Sequence, residues 1–326
     1  MKKNWFDSKV KEFSLIGGYQ KPPLNENSVK LDSNENYVLS KQFQNDIVSE
    51  ARKNSDVREY PLGGVERLIQ MISKFVKVPT SMIGIGNGSD QILDLILSNF
   101  ASKQTKVLTS NPTFSFFEER CKLYSIPLIA IPFSDDMKLD VNTFLKESKN
   151  ADILYLDSPN NPTGFQFSKI ELQKLIKSFD GLIIIDEAYG EFSDYSLSSL
   201  VKTQSNLIVV RTLSKSFGMA GIRLGYFVAN KKFTDTFLNV LQYPYPLSTI
   251  TIESGILALE KVNLMDNATK IIKIERQRII ETLQKFDTFE VFDSKANFVL
   301  FDAHSSYKRV YSALAEQGIS IRKLGK

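Results

Sequence analysis

Short apolar runs alternate with longer amphipathic stretches between about residues 82 and 230. The apolar runs are continuously hydrophobic, a pattern typical of strands that helices cover on both faces. The predicted strands are residues 82–86, 106–110, 153–157, 182–186, 207–210 and 224–229. Helical patterns lie between them, notably at 91–100 and 168–179. This alternation predicts an α/β domain with a mostly parallel sheet.

The rest of the chain has a different pattern. An amphipathic helix is predicted at 264–286, followed by strands near 289–292, 297–301 and 319–322 and a helix near 305–317. These elements predict a smaller α+β domain. The first thirty residues contain Gly17-Gly18 and Pro22-Pro23 and predict an extended arm. We therefore expect three parts, which are an N-terminal arm at 1–32, a large domain at 33–230 and a small C-terminal domain at 231–326.

Composition excludes several classes of function. The 41 basic and 37 acidic side chains leave a formal net charge of +4, with no dense basic block that would indicate nucleic-acid binding. Cys121 is the only cysteine and His304 the only histidine, so one chain cannot form a disulfide, a thiolate-rich metal site or a histidine-based triad. No apolar run is long enough for a membrane span, and we expect a cytoplasmic protein without a metal.

A glycine-containing turn follows the first predicted strand. Gly88, Ser89 and Asp90 open a helix there, and the unpaired N–H groups of such a turn can hold a phosphate. A dinucleotide site is one alternative, but Ser89 stands where its third glycine would be, and its ribose-binding acid is missing. A turn selected only for tight packing is another alternative.

Polar residues also follow the later strands, where open α/β sheets bind ligands. The loop SPNNPTG (158–164) contains Asn161, which could simply form a turn. Asp186 ends a buried strand shortly before Tyr189. A buried acid costs several kcal/mol unless it is paired, so we expect a salt bridge or a cationic ligand at Asp186.

The segment 211–226, RTLSKSFGMAGIRLGY, carries a lysine and an arginine in an apolar setting. Thr212, Ser214 and Arg223 could bind a phosphate through charge-assisted hydrogen bonds. Lys215 follows a strand end, so its amine would face the same crevice as Asp186. An amine next to an acid and a phosphate cradle indicates covalent catalysis.

These residue types together predict a site for pyridoxal 5'-phosphate. That cofactor needs a lysine for its aldehyde, a carboxylate at its ring nitrogen and donors for its phosphate. Lys215 and Asp186 supply the first two. Tyr189 and Asn161 are candidate donors to the ring's 3′ oxygen, and Phe114 is a candidate for stacking on the ring.

The chain resembles the fold-type I, aspartate-aminotransferase-like enzymes, and most closely their histidinol-phosphate aminotransferase branch. The resemblance runs from about residue 15 to 325 through segments in the family's order, which are GGYQKPP, KLDSNEN, YPLGG, GIGNGSDQILDLI, NPTF, SPNNPTG, IIIDEAYGEF, RTLSKSFGMAGIRLGY, ANFVLF and GISIRKL. It implies a pyridoxal-phosphate-dependent transferase fold, with a large domain on a mostly parallel sheet and a smaller α+β domain.

The resemblance also implies residue roles. Lys215 would carry the cofactor as an imine, Asp186 would pair the ring nitrogen, Asn161 and Tyr189 would contact the 3′ oxygen, and Phe114 would stack on the ring. The phosphate would be held by Thr212, Ser214, Arg223 and the backbone of Gly88, Ser89 and Asp90. Tyr60 would reach that phosphate from the other subunit of a homodimer. The substrate would be held by Tyr19 and Arg322 at its phosphate and by Asn34, Asn36 and Asn297 elsewhere.

The implied activity is ping-pong transfer of an amino group between glutamate or 2-oxoglutarate and histidinol phosphate or imidazole-acetol phosphate, in histidine synthesis. Alternatives on the same fold are an aromatic or broad-specificity aminotransferase and a threonine-phosphate decarboxylase. A non-catalytic binding protein is an alternative of a different class.

One departure from the family concerns the end of the small domain. Family members normally continue beyond the GISIRKL strand with another strand and a helix, and that strand carries an arginine for the substrate's acid group. The only arginines beyond residue 278 in this chain are Arg309 and Arg322. We therefore expect either a truncated small domain or an altered recognition of the substrate.

Overall fold

The computed structural model describes residues 3–16, 18 and 28–324. Within these residues the strands are β1 (Val29–Leu31), β2 (Ile83–Asn87), β3 (Val107–Asn111), β4 (Leu128–Pro132), β5 (Ile153–Asp157), β6 (Leu182–Asp186), β7 (Leu207–Thr212), β8 (Leu224–Val228), β9 (Glu290–Val291), β10 (Phe301–Asp302) and β11 (Ile319–Ile321). The α-helices are α1 (Lys3–Ser14), α2 (Lys41–Lys53), α3 (Val65–Val76), α4 (Gly88–Phe100), α5 (Ser115–Leu123), α6 (Val141–Glu147), α7 (Lys169–Ser178), α8 (Lys231–Thr236), α9 (Thr249–Glu260), α10 (Val262–Leu283) and α11 (Tyr307–Glu316).

Short helical turns complete the secondary structure of the described residues. The 3₁₀ turns are Thr80–Met82, Ser148–Asn150, Gly190–Phe192, Ser198–Lys202, Ala220–Ile222 and His304–Ser306, and Phe237–Leu241 forms a π-helical turn. Local capping fixes where several helices begin. Ser168 and Glu171 form a reciprocal capping box at the start of α7, and Asp140 accepts hydrogen bonds from the first N–H groups of α6. None of the described helices combines the length and the apolar character that a membrane crossing requires.

A central sheet with the strand order β2-β8-β7-β6-β5-β3-β4 organises the described part of the chain. Its strands run parallel except for β8, which is antiparallel to both β2 and β7. The predicted α/β fold with a mostly parallel sheet is therefore confirmed. In the register of β5 and β6, Asp157 lies opposite Asp186, so the carboxyl ends of these two strands meet at one edge.

Alternate residues of the central strands point to two hydrophobic cores, one on each face. On one face Leu154, Ile183 and Val209 pack in a cluster with residues of α3, α7 and α9. On the other face Tyr155, Ile184 and Val210 pack with residues of α4 and α5. Because helices cover both faces, the strands read as continuous apolar runs rather than as alternating ones.

Two small sheets lie outside the central one. β1 pairs in parallel with β11, with Leu31 opposite Ile321, and β9 pairs with β10 in antiparallel orientation. The first pairing brings residues 29–31 beside residues 319–321, near the end of the described chain. Helices α8 and α9 share the cores of the central sheet, although the boundary at 230 assigns them to the small domain. The division into an arm, a large and a small domain therefore stays a prediction.

The structure corrects the sequence analysis at three places. Residues Lys3–Ser14 form helix α1 where an extended arm was expected. The strand expected at 297–301 is reduced to Phe301–Asp302. The edge strand β4, Leu128–Pro132, was not predicted.

Candidate active site

The candidate site lies where β5, β6 and β7 end. β5 ends at Asp157, β6 at Asp186 and β7 at Thr212, and Lys215 follows three residues later. Parallel strands deliver these chain ends to the same edge of the sheet. The segment after β1 joins them from outside the sheet, since the Lys215 Nζ donates a hydrogen bond to the Ser33 carbonyl at 2.9 Å.

Lys215 is a partly buried amine. Its Nζ lies 5.8 Å from the centre of the Tyr189 ring. Burial lowers the pKa of Lys215 from 10.5 to about 8, although the negative charges of Glu35 and Asp90 favour the ammonium form. An amine with this pKa is partly unprotonated near neutral pH and can act as a nucleophile or a base.

Asp186 is a buried carboxylate, only 3% exposed. Its Oδ1 accepts a hydrogen bond from the Ala188 backbone N–H at 2.9 Å, and its Oδ2 lies 3.4 Å from the Tyr155 hydroxyl. Burial raises the pKa of Asp186 to about 7, and the neighbouring charge of Asp157 adds to this shift. Among the described residues no cation forms an ion pair with Asp186. The site thus presents an acid that would gain from a cationic ligand.

Tyr189, which follows β6, contacts three other segments of the chain. Its hydroxyl accepts hydrogen bonds from Asn34 Nδ2 at 3.0 Å and from Asn161 Nδ2 at 3.4 Å. Its ring packs edge-on against Phe298, with 5.2 Å between the ring centres. Asn297 Nδ2 donates to the Asn34 carbonyl at 2.9 Å. Residues from before β2, after β5, after β6 and after β9 therefore converge on one phenol.

Asn36 and Asn297 have different surroundings. Asn36 is buried, and its Nδ2 donates to the Ser216 carbonyl at 2.7 Å, which holds the segment after β1 against the segment that carries Lys215. The Oδ1 of Asn297 is buried and has no hydrogen-bond partner within the described residues. A buried acceptor of this kind is costly unless a ligand or water supplies a donor.

A second cluster of donors surrounds the start of α4. The Thr212 and Ser214 hydroxyls lie 2.9 Å apart, and the Arg223 guanidinium pairs with Asp90 at 2.7 Å. Helix α4 starts at Gly88 without a side-chain cap. The Gly88 N–H donates to the Arg223 carbonyl at 2.8 Å, so the N–H groups of Ser89 and Asp90 are the candidate donors of the first turn. A helix N-terminus next to hydroxyls and an arginine favours a phosphate.

Two glycines make this arrangement possible. Gly88 has φ +75°, and a Cβ there would lie 2.5 Å from an Arg223 nitrogen. A Cβ on Gly225 in β8 would lie 2.3 Å from the Gly88 carbonyl carbon and 2.4 Å from the Ser89 nitrogen. Neither position accepts a side chain without moving the helix start or the arginine.

Other predicted residues lie at the margin of this cluster. Phe114 precedes α5 and is partly buried, with its ring 5.9 Å from that of Phe116. Tyr60 is 72% exposed and stacks on Tyr245 at 4.4 Å. Arg322 directly follows β11, which pairs with β1 and so lies beside the segment that leads to Ser33. Tyr19 lies outside the described residues.

Three residues of the site were not predicted from the sequence. Asp157 ends its strand just as Asp186 does, and this shared position was the available signal. Tyr155 is fully buried next to Asp186 and stacks on Phe117 at 3.5 Å between ring centres. Ser33 contributes only its backbone carbonyl, which no side-chain pattern reveals.

An amine with a lowered pKa, a buried unpaired acid and an anion cradle at one sheet edge define a site of the aminotransferase type. The chain belongs to the aminotransferase class I and II family, whose model matches residues 26–325. The family resemblance stated from the motifs is thereby confirmed.

Two relatives and one solved structure are similar to this chain over most of its length. The chain is 33% identical to the histidinol-phosphate aminotransferase of Thermoanaerobacter pseudethanolicus, over 91% of this chain and 84% of the relative. It is 34% identical to the histidinol-phosphate aminotransferase of Pyrococcus furiosus, over 90% and 83%. The solved structure of the Sinorhizobium meliloti histidinol-phosphate aminotransferase in complex with pyridoxal-5'-phosphate has the same fold, with a TM-score of 0.82, 24% identity and coverage of 91% of this chain and 83% of that one.

Proposed function

We propose that this protein is a pyridoxal-phosphate-dependent aminotransferase that moves an amino group between glutamate or 2-oxoglutarate and histidinol phosphate or imidazole-acetol phosphate. The observation that carries the proposal is the convergence of Lys215, Asp186 and the cradle at α4 on one sheet edge. The two relatives that are at least 33% identical over most of their length support the choice of substrates.

The donor set fits pyridoxal phosphate. Lys215 would carry the aldehyde; its position three residues after β7 and its Nζ 5.8 Å from the centre of the Tyr189 ring support this role. Thr212, Ser214, Arg223 and the first turn of α4 (Gly88, Ser89 and Asp90) would hold the phosphate. A Cβ at position 88 would lie 2.5 Å from an Arg223 nitrogen, so the glycine lets Arg223 lie against the start of α4. Asn161 and Tyr189 would hold the 3′ oxygen, and Phe114 would stack on the ring.

When bound, pyridoxal phosphate supplies an aldehyde that condenses with amines and a ring that spreads the negative charge left when a substrate Cα loses its proton. Lys215 serves as the proton carrier in this reaction. Because the pKa of Lys215 is lowered to about 8, its Nζ can accept the proton from the substrate Cα and then donate that proton to another carbon atom of the same complex. The Ser33 carbonyl orients the amine through the 2.9 Å hydrogen bond.

Asp186 serves as the anion that keeps a ring nitrogen protonated. Without a partner, burial favours the protonated form of Asp186. A cation at its Oδ2 would offset the cost of ionising the carboxyl group and so favour the anion. The Ala188 N–H and the Tyr155 hydroxyl fix its orientation. Tyr155 is itself held by stacking on Phe117.

A different set of residues would hold the substrate. Arg322 and Tyr19 would hold a substrate phosphate; the pairing of Leu31 with Ile321, next to position 322, supports the role of Arg322. Asn34, Asn36 and Asn297 would line the pocket. The unpartnered Oδ1 of Asn297 supports this role, because a substrate donor would satisfy it.

We extend the proposal to a homodimer in which Tyr60 reaches the cofactor phosphate of the partner subunit. The exposed position of Tyr60, stacked on Tyr245, supports this part. Analytical ultracentrifugation should give twice the chain mass, and Tyr60→Phe should weaken cofactor binding. A monomer with full activity would contradict it. The cytoplasmic location stays a prediction.

The activity itself is tested by incubating the cofactor-loaded protein with histidinol phosphate and 2-oxoglutarate. We expect glutamate to form, and Lys215→Ala to abolish its formation. Parallel reactions replace histidinol phosphate by phenylalanine or tyrosine, or supply phosphothreonine and measure CO2. Faster turnover of an aromatic amino acid, or CO2 release without glutamate, would contradict the proposed substrate.

A further inference from the structure

Asp157 is a second buried carboxylate at the same sheet edge, and neither the fold nor the proposed reaction has so far given it a role. It is 7% exposed and ends β5, directly opposite Asp186 on β6. Burial raises the pKa of Asp157 to about 6, so the acid is largely ionised at pH 7. Keeping this charge out of water requires compensation from its neighbours.

The compensation comes from three hydrogen bonds. Asp157 Oδ1 accepts from the Thr113 hydroxyl at 3.0 Å and from Asn160 Nδ2 at 2.8 Å. Asp157 Oδ2 accepts from the Asn161 backbone N–H at 2.7 Å. Both oxygens are therefore engaged, by donors that belong to two different turns.

These two turns carry groups of the proposed cofactor site. Thr113 immediately precedes Phe114, which would stack on the ring, and the second turn contains Asn161, whose Nδ2 reaches the Tyr189 hydroxyl. Asn160 Nδ2 also lies 3.2 Å from the Pro112 carbonyl, so the two turns contact each other at the Asp157 carboxylate. Loss of the Asp157 carboxylate would remove the hydrogen-bond acceptor that the two turns share.

We propose that Asp157 is a positioning residue for the cofactor, which fixes the Phe114 turn and the Asn161 turn in one arrangement around the ring. The inference rests on the proposed function, because it assumes that pyridoxal phosphate binds at this edge. Asp157 itself would not contact the reacting atoms.

A carboxylate suits this position better than an amide. The three donors approach two oxygens, and an asparagine offers only one acceptor oxygen. In Asp157→Asn the new NH2 group would face one of these donors, which would leave a buried N–H or O–H group unpaired. Loss of one hydrogen bond to a charged group corresponds to about a tenfold or larger change in an equilibrium constant.

The test is a double-mutant cycle on the dissociation constant of pyridoxal phosphate. The proteins are wild type, Asp157→Asn, Thr113→Val and the double variant, with Thr234→Val as a control because Thr234 is equally buried but lies in α8. Binding is measured by titration of the apoprotein, and circular dichroism in the visible range reports the orientation of the bound cofactor. Thermal melting of each apoprotein checks folding.

We expect Asp157→Asn to raise the dissociation constant about tenfold or more and to reduce the visible dichroism, with a smaller effect of Thr113→Val. The effects should be non-additive, because Thr113 acts through Asp157. Thr234→Val should change neither readout. Unchanged binding and dichroism in Asp157→Asn, or fully additive effects, would overturn the inference.

If Asp157→Asn fails to fold, Thr113→Val alone decides. An unchanged dissociation constant and dichroism in that variant would overturn the proposal. If the wild-type protein binds pyridoxal phosphate and both variants bind it equally well, only this inference is contradicted. Wild-type protein that binds none overturns the proposed function, and the inference with it.

Discussion

A buried ion cluster under the candidate site leads to the sharpest prediction about stability. The Arg211 guanidinium, with its side chain 7% exposed, lies 2.7 Å from Glu191 and 3.7 Å from Glu187. Glu187 also accepts hydrogen bonds from the Ser196 hydroxyl and the Leu197 N–H, both at 2.6 Å. Arg211 immediately precedes Thr212, and the two glutamates flank Tyr189. The cluster thus joins the β6 and β7 ends that carry the site.

Replacing Arg211 by methionine keeps most of the side-chain volume and removes the cation. Two buried glutamates are then left without their partner, a loss that typically costs about 3–5 kcal/mol. Unfolding entropy near 2.1 cal/mol/K per residue gives roughly 0.7 kcal/mol/K for a chain of 326 residues. The expected fall in melting temperature is therefore about 4–7 °C.

Differential scanning calorimetry of Arg211→Met against wild type measures this fall, and urea denaturation provides the free energy. The matched control is Arg58→Met, because Arg58 pairs with Asp56 at the surface and its side chain is 87% exposed. Surface pairs contribute little, so its melting temperature should not change. Equal melting temperatures for Arg211→Met and wild type would refute the assignment of a stabilising role to the cluster.

Three further predictions concern the apoprotein and the cradle. The pKa of Asp186 is about 7 in the fold against 3.8 in the unfolded chain, so this group's contribution to stability falls as the pH rises from about 4 to 7. Asp186→Asn should remove this dependence from the free energy of unfolding that urea titrations measure. An unchanged dependence of that free energy on pH would contradict the prediction. The pKa of Lys215 is about 8 against 10.5, so stability should rise between these pH values in wild type but not in Lys215→Met, and parallel curves would contradict this. Gly225→Ala should raise the dissociation constant of pyridoxal phosphate about tenfold or more by displacing the first turn of α4. Gly221→Ala is its control, because a Cβ there meets nothing within 4 Å, and equal affinities for the two variants would count against the cradle.

The fold was largely predictable because the central strands are buried on both faces and read as apolar runs. β4 escaped because it is an edge strand, and only Ile131 of its five residues is buried. The segment 297–300 reads as a strand, but Asn297 bonds to the Asn34 carbonyl and Phe298 packs on Tyr189. These residues therefore make contacts within the site and do not form the backbone hydrogen bonds of a strand. Helix α1 was missed because the glycines and prolines after it suggested an extended arm.

The reactive residues of the site were predictable where they stand at or just after the end of a strand. Lys215, Asp186 and Thr212 stand at such positions, and the parallel register brings them together. The contacts of Ser33 with Lys215 and of Asn34 with Tyr189 join residues more than 150 positions apart. No local pattern encodes such contacts, since they depend on how β1 docks against β11. Asp157 was missed although it ends a strand as Asp186 does, and its bond to Thr113, 44 positions away, is visible only in the fold.

The central claim is that Lys215 is the amine that holds the cofactor. Borohydride reduction of the pyridoxal-phosphate-loaded protein fixes the cofactor to whichever lysine holds it, and peptide mass spectrometry then locates the modified residue. We predict a visible absorbance band that reduction removes and a single modified peptide that contains Lys215, with neither band nor modification in Lys215→Ala. Modification of a different lysine, or a colourless protein after loading, would contradict the account.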